Sequence, residues 1–524
     1  MSYNPLPQPA TAVVLTGIST TPVSFENPFP VSLGSSNITI NGDVSIGATV
    51  DVASTPENPV HTHITEVGIS SILTVPYLPV GISTLLNTVS IGTTGQVSIN
   101  LNNSPVSTTN PFPVTGTVDI ELPPIATDAF GRQRMSTPLT LFDSSHRYRD
   151  NNLWSGLVVG TGSTVGFVTA QGLVNLTVGV GSTASIIRET TKVFSYQPGK
   201  SLEVLTTFVM NPAKANLRQR VGYFGADNGM YLELDGSNLY FVERTFVTGI
   251  TTETRKAQED WNIDTMLGAG HLNPSGVTLD ISKAQILWMD IEWLGLGTVR
   301  LGFVVDGKFI HCHSFHHANR INTTYITSAS LPLRYEIANT GITTSASTLK
   351  QVCSTVISEG GYELRGLQQA AGTPVQTPVD LTTAGTYYTV LSIRLKATPN
   401  RLDAIVILTA ISLLGITNNA TYNWQVRASG TSNGGTWTDA GSDSAVEYKI
   451  NGGTYTGGRV LASGYTYGSN QGSTSVDILK EALFKFQLER NALTGTPYEL
   501  SIVCAADANG ADIHASMDWE EISR

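Results

Sequence analysis

No lysine or arginine occurs before Arg132, and within that stretch one phrase is written twice. Pro22-Val23-Ser24-x-x-Asn27-Pro28-Phe29-Pro30-Val31 returns 83 residues later as Pro105-Val106-Ser107-x-x-Asn110-Pro111-Phe112-Pro113-Val114. A weaker echo, Thr55-Pro56-Glu57-Asn58-Pro59-Val60, lies between them. Strand-like alternation is short here, as in Ile38-Thr39-Ile40, Val44-Ser45-Ile46 and Val97-Ser98-Ile99, and proline interrupts it repeatedly. Such pieces cannot enclose a core, and a repeated unit points to an extended array. Exposed β edges are normally blunted with lysine, so edges without it need partners. Residues 1–127 are therefore expected to form an elongated β arm for assembly and attachment. Copies of the same chain are the first partners, with a trimer the favoured closed arrangement. Asn27, Pro28, Phe29, Pro30 and Val31, with Asn110, Pro111, Phe112, Pro113 and Val114, are the expected contact segments.

A chain of 524 residues is too long for one core. Charged residues make up 14% of it, well under the ~25% usual for globular domains. Gly, Ser, Thr and Asn separate many Val and Ile, a mixture that suits an all-β protein with many turns. Eight of the 41 acids and none of the 30 bases precede Arg132, so the remainder is nearly balanced. Neither portion attracts a polyanion, and nucleic-acid binding loses its main source of affinity. The start carries no basic, apolar leader pattern, and the apolar run at 404–416 is too short to span a bilayer. Cys312, Cys353 and Cys504 lie far apart without a CxxC, which fits reduced thiols packed as small apolar groups.

Past the arm, the first bases arrive abruptly in Asp128-Ala-Phe-Gly-Arg-Gln-Arg-Met135, and residues 128–150 are expected to be a hinge or docking segment. Residues 151–365 carry Asp-Gly hairpin signals at Asp235-Gly236 and Asp306-Gly307 between apolar runs, and predict a β-sandwich. A Pro-bearing linker at 370–378 introduces a second sandwich, 366–524, and both sandwiches are expected to be of jelly-roll or lectin-like character. Helix is expected only near 257–266 and at 477–489, whose last part also alternates like a strand.

Four constellations carry chemistry. His311-Cys312-His313 places two imidazoles on one strand face if alternation is regular, a candidate metal pair; the plainer reading is a polar sandwich edge. His61-Thr62-His63 in the arm would converge six nitrogens in a trimer, an octahedral site for an axial divalent metal. Trp288-Met-Asp290-Ile-Glu292-Trp293 puts two carboxylates on one face about 7 Å apart, a spacing that glycoside hydrolysis can use. Laminarinase-like jelly-roll hydrolases resemble this strand but carry Glu-x-Asp-x-x-Glu, whose third acid is missing here. Trp424, Trp437, Tyr465 and Tyr467 lie among Gly/Ser/Asn loops, where aromatic platforms beside amides suit sugar contact as well as ordinary packing.

Several segments carry a family resemblance: Asp128-Ala-Phe-Gly-Arg132 with Leu141-Phe-Asp-Ser144, Tyr196-Gln-Pro-Gly-Lys200, Phe315-His-His-Ala-Asn319, Leu331-Pro-Leu-Arg-Tyr-Glu336 and Thr355-Val-Ile-Ser-Glu-Gly-Gly361. They resemble virion structural proteins of tailed bacteriophages, those of marine and cyanobacterial phages above all. The resemblance covers residues 128–365 and implies a particle component without catalytic residues: a fibre- or spike-like appendage, or a head decoration, neck or baseplate protein. It further implies other virion proteins as partners; a host-surface glycan for the distal domain is the expectation raised by its aromatic loops.

Overall fold

The computed structural model describes residues 137–468 and 486–522 in full. For strands Leu86–Ile91, Val97–Leu101, Ser104–Pro105 and Thr474–Asp477 it describes the backbone alone. The chain divides into two units, 1–127 and 128–524. In the first, Leu86–Ile91, Val97–Leu101 and Ser104–Pro105 pair antiparallel in that order, with an irregularity between Leu86 and Thr88. The segment 27–31, the segment 110–114, and His61 with His63 lie outside the described residues.

The second unit is all-β among its described residues and holds two sandwiches. In the first, an eight-stranded sheet runs Lys308–Phe315, Val299–Val305, Gln285–Ile291, Ser201–Val209, Ser347–Glu359, Leu173–Val178, Thr164–Val168, and Leu139–Ser145 also pairs with Ser347–Glu359. A seven-stranded sheet runs Thr252–Ala257, Asn238–Thr245, Gly229–Asp235, Leu217–Phe224, Leu333–Asn339, Ser185–Thr190, Trp154–Val159. Period-2 alternation explains the layering. In Ser201–Val209 every second residue is buried, with Leu202, Val204 and Phe208 in the core and Glu203 and Thr207 outside. The other sheet supplies Val221, Tyr223, Leu232 and Phe241, and Phe241 stacks on Trp261 with centroids 4.3 Å apart. Each such apolar side chain contributes roughly 1.5–3 kcal/mol on burial. The hairpin at Asp306-Gly307 turns on two left-handed residues, φ +50° and +73°, as its dipeptide demands.

Within 128–150, expected as a hinge or docking segment, Leu139–Ser145 is a strand of the first sandwich. Leu141 and Phe142 are core residues, because this strand completes the sheet beside residues 353–358. The region near 257–266 holds only a 3-10 turn, Gln258–Asp260. Asp477 ends a strand, and no α-helix is found among the described residues of 477–489.

The second sandwich begins at Leu367. Leu367–Gly372 already belongs to it, so the expected linker is in part a strand. In its five-stranded sheet, Ala511–Ser523 pairs on one side with Leu367–Gly372 and Val379–Leu381, and on the other with Ile405–Gly415. Thr474–Asp477 follows at the edge. The six-stranded sheet runs Thr438–Asp439, Val446–Ile450, Tyr388–Leu395, Glu499–Ala506, Thr421–Ser432, Tyr455–Tyr467. Its core includes Leu391, Ile393, Trp424, Ile502, Met517 and Trp519. Cys312 and Cys504 are buried thiols and Cys353 is half-buried.

The two sandwiches meet at Val193, Ile405 and Ile407. Arg490 crosses this junction with 1% of its side chain exposed. It donates to the Thr190 carbonyl and to Asp403 Oδ1 at 2.9 Å, and lies 3.5 Å from Glu189.

Candidate functional site

The outer face of the six-stranded sheet gathers exposed aromatics and ordered amides. Strand Thr421–Ser432 alternates, so Tyr422, Trp424 and Val426 face the core while Asn423, Gln425 and Arg427 face outward. Beside it, Tyr465 pairs with Asn423 and Tyr467 with Thr421. Tyr465 is 74% exposed and Tyr467 54%. The Tyr467 hydroxyl donates to Asn419 Oδ1 at 2.9 Å. Behind the two rings a relay fixes the polar groups. Arg427 Nε donates to Gln425 Oε1 at 2.6 Å, Gln425 Nε2 donates to the Tyr387 hydroxyl at 2.8 Å, and that hydroxyl donates to Asn423 Oδ1. The Arg427 guanidinium lies 4.5 Å from the Tyr387 ring centroid, a cation–π contact. Every donor in the relay points one way, so the amides are oriented before any ligand arrives.

Two residues expected in such a site stand elsewhere. Trp424 is core: its ring packs over Gly464, where a Cβ would come within 2.4 Å of it. Alternation from Tyr422 fixes that inward direction. Trp437 is half-buried, with Arg394 4.0 Å and Lys449 4.4 Å from its ring centroid. Both cations are paired in turn, Arg394 with Glu447 at 2.6 Å and Lys449 with Glu499 at 3.3 Å. Its ring faces are engaged within the domain.

His311 and His313 do not share a face. Leu301 pairs with His313 and the next residue, Gly302, with His311, so a bulge takes up Cys312. His313 turns inward against Phe241, and Asn262 N donates to its Nδ1 at 3.2 Å. The His311 ring instead stands edge-on to Trp288 outside the sheet. The expected metal pair is thereby split, and no group of three metal-binding side chains is found among the described residues.

Asp290 and Glu292 follow the expected face, but each is engaged. Asp290 is buried and ion-paired with Arg300 on the neighbouring strand. The exposed Glu292 accepts from Thr298 N at 3.3 Å. Glu203, opposite Asp290, accepts from Trp288 Nε1 at 3.1 Å. Burial first, and Glu359 second, push the Glu203 carboxyl above its usual range.

Sequence reading overlooked a lattice of charge on the outer face of the seven-stranded sheet. Arg220 reaches Glu233 at 2.6 Å and Glu336 and Glu253 at 3.3 Å each; Arg244 reaches Glu253 at 2.8 Å and Arg255 reaches Glu233 at 3.0 Å. Burial opposes charge on Glu253, but hydrogen bonds from Arg244 and Tyr231 prevail and hold its carboxyl at about 2. The signal was present as charges two apart in Arg218/Arg220, Glu233/Asp235, Glu253/Arg255 and Arg334/Glu336. Its three arginines named here are each paired with a glutamate of the same lattice.

No protein-family model matches the chain, and no curated protein is similar to it at a significant level. Among solved structures, a Bacteroides ovatus mixed linkage glucan glycoside hydrolase of family 16 is similar at 10% identity, over 41% of this chain and 99% of its own, with a TM-score of 0.29. The carbohydrate recognition domain of Emp47p matches 45% of this chain and all of its own at 10% identity, TM-score 0.26. Arcelin-5 of Phaseolus vulgaris, a lectin-like defence protein, matches 43% of this chain and all of its own at 12% identity, TM-score 0.25.

Proposed function

We propose that this chain is a non-enzymatic structural component of a tailed-phage particle. It is an oligomeric appendage, anchored among other virion proteins by its N-terminal arm, whose C-terminal sandwich contacts a host-surface glycan. The observation that supports glycan contact is the pair Tyr465 and Tyr467, exposed side by side and backed by the Arg427–Gln425–Tyr387–Asn423 relay. Flat aromatic faces accept the CH faces of a sugar, and fixed amides and phenols meet its hydroxyls. Against a hydrolytic role stands Asp290, whose carboxylate is held in a buried ion pair with Arg300.

The test is binding of the full chain to a panel of bacterial surface polysaccharides, with hydrolysis followed in parallel. Saturable binding that Tyr465→Ala and Tyr467→Ala each weaken supports the reading. Undiminished binding by the double variant sinks the assignment of this face, and release of reducing sugar that Asp290→Asn abolishes sinks the non-enzymatic reading. Particles labelled with an antibody to residues 366–524 separate a projecting appendage from a head decoration or a neck or baseplate position.

A further inference from the structure

Residues 151–187 contain no Asp, Glu, Lys, Arg or His, the more unusual because the chain carries a net charge of −11. Among the described residues this segment supplies the last strand of both sheets on one side of the first sandwich, where Leu139–Ser145 also pairs with Ser347–Glu359. Trp154–Val159 is the edge strand of the seven-stranded sheet and Thr164–Val168 that of the eight-stranded sheet. The opposite edges are guarded: Thr252–Ala257 carries Glu253, Arg255 and Lys256, and Lys308–Phe315 carries Lys308 and two histidines. Charge on an edge strand prevents further pairing, and its absence invites it. The bare side is also apolar, exposing Leu157, Val158 and Val159 at 36–44% and Val180 at 49%.

We propose that Trp154–Val159 is where two copies of this chain meet, antiparallel and edge to edge about a two-fold axis, so that their seven-stranded sheets become continuous. Charge argues for a second copy as the occupant. Two chains of net −11 repel wherever their acids face one another, and residues 151–187 form a surface that can meet itself without that cost. Like pairing with like also closes on a dimer and leaves no edge open for a third copy. The N-terminal arm fits the edge less well. Proline punctuates the arm and cannot donate to a ladder, whereas Trp154–Val159 contains none. The pairing rests on the oligomeric part of the function proposed above and is independent of the glycan face.

Light scattering on the size-separated full chain tests it. The expected wild-type mass is an even multiple of the monomer, and Leu157→Lys with Val159→Lys halves it. Thr254→Lys, on the guarded edge, leaves the mass unchanged. Thermal unfolding of each variant checks that the fold persists, and Leu157→Cys provides a second readout, forming a covalent dimer on mild oxidation. A wild-type oligomer that the paired lysines leave intact, with no cross-link through Cys at 157, overturns the edge assignment alone. A trimeric wild type overturns the two-fold arrangement, and a monomeric wild type overturns it together with the oligomeric reading.

Discussion

The imidazole of His317 lies flat on the phenol ring of Tyr325, centroids 4.0 Å apart and planes 7° from parallel. Both ring nitrogens face acceptors, Nδ1 the Gly297 carbonyl and Nε2 the Glu243 carboxylate at 2.7 Å. Only the doubly protonated ring satisfies both, and the loop after Phe315 is pinned by that charge.

Burial lowers the pKa of His317, but the hydrogen bond and charge of Glu243 outweigh it and raise the value above the usual 6.5. A raised histidine stabilises the fold fully below its unfolded pKa, and that contribution is lost as pH rises through the folded pKa. Thermal unfolding should therefore show stability falling as pH increases above ~6.5. In Glu243→Gln the decline disappears and stability is lower throughout.

His146 and His313 have the opposite sign. Burial first, then Arg188 for His146 and Lys256 for His313, lowers each to about 4. Asp150, 3.7 Å from His146 Nδ1, favours a proton there, but burial and Arg188 outweigh it. Their contribution is present above ~6.5 and is lost as pH falls toward 4. Urea denaturation between pH 7 and 4 should show this loss, with a shallower slope in His146→Gln/His313→Gln.

Arg490→Met should be among the most damaging single substitutions. It leaves the buried Glu189 carboxylate without the arginine from the other sandwich, and breaking a buried pair costs about 3–5 kcal/mol. Denaturant titration is expected to change from one transition to two as the sandwiches uncouple.

The aromatics of the second sandwich should separate by role. Trp424→Ala removes a core ring and costs about 3–5 kcal/mol of stability, measured by the same titration. Tyr465→Ala leaves stability within about 0.5 kcal/mol and lowers glycan affinity roughly tenfold, the scale of one lost stacking contact.

Phe29→Ser and Phe112→Ser test the repeated arm phrase. The double variant is expected to fold but to be missing from assembled particles, as read by immunoblotting of purified virions.

The sandwiches were legible because their cores are written in period 2 and their turns in Asp-Gly. Trp424 was legible in the same way, since Tyr422, Trp424 and Val426 alternate with polar residues, yet the neighbouring loops suggested a surface. Leu139–Ser145 was hidden because its partner strand lies some two hundred residues further along the chain. The split between His311 and His313 depends on how many residues Val299–Val305 sets against that stretch, which no property of the His-Cys-His triplet encodes. Arg490 gave no local signal at all, since its acidic partners are Glu189 in one sandwich and Asp403 in the other.

The placement of Ala511–Ser523 between Leu367–Gly372 and Ile405–Gly415 has a consequence for synthesis. Leu367–Gly372 and Val379–Leu381 leave the ribosome with no strand to pair with until residue 511 follows. At translation rates of ~5–20 residues per second that wait is on the order of ten seconds. Throughout it the faces of Val379 and Leu381 stay open to other nascent chains. Premature stop codons between 382 and 511 should therefore yield aggregated, protease-sensitive product rather than a shortened, folded one.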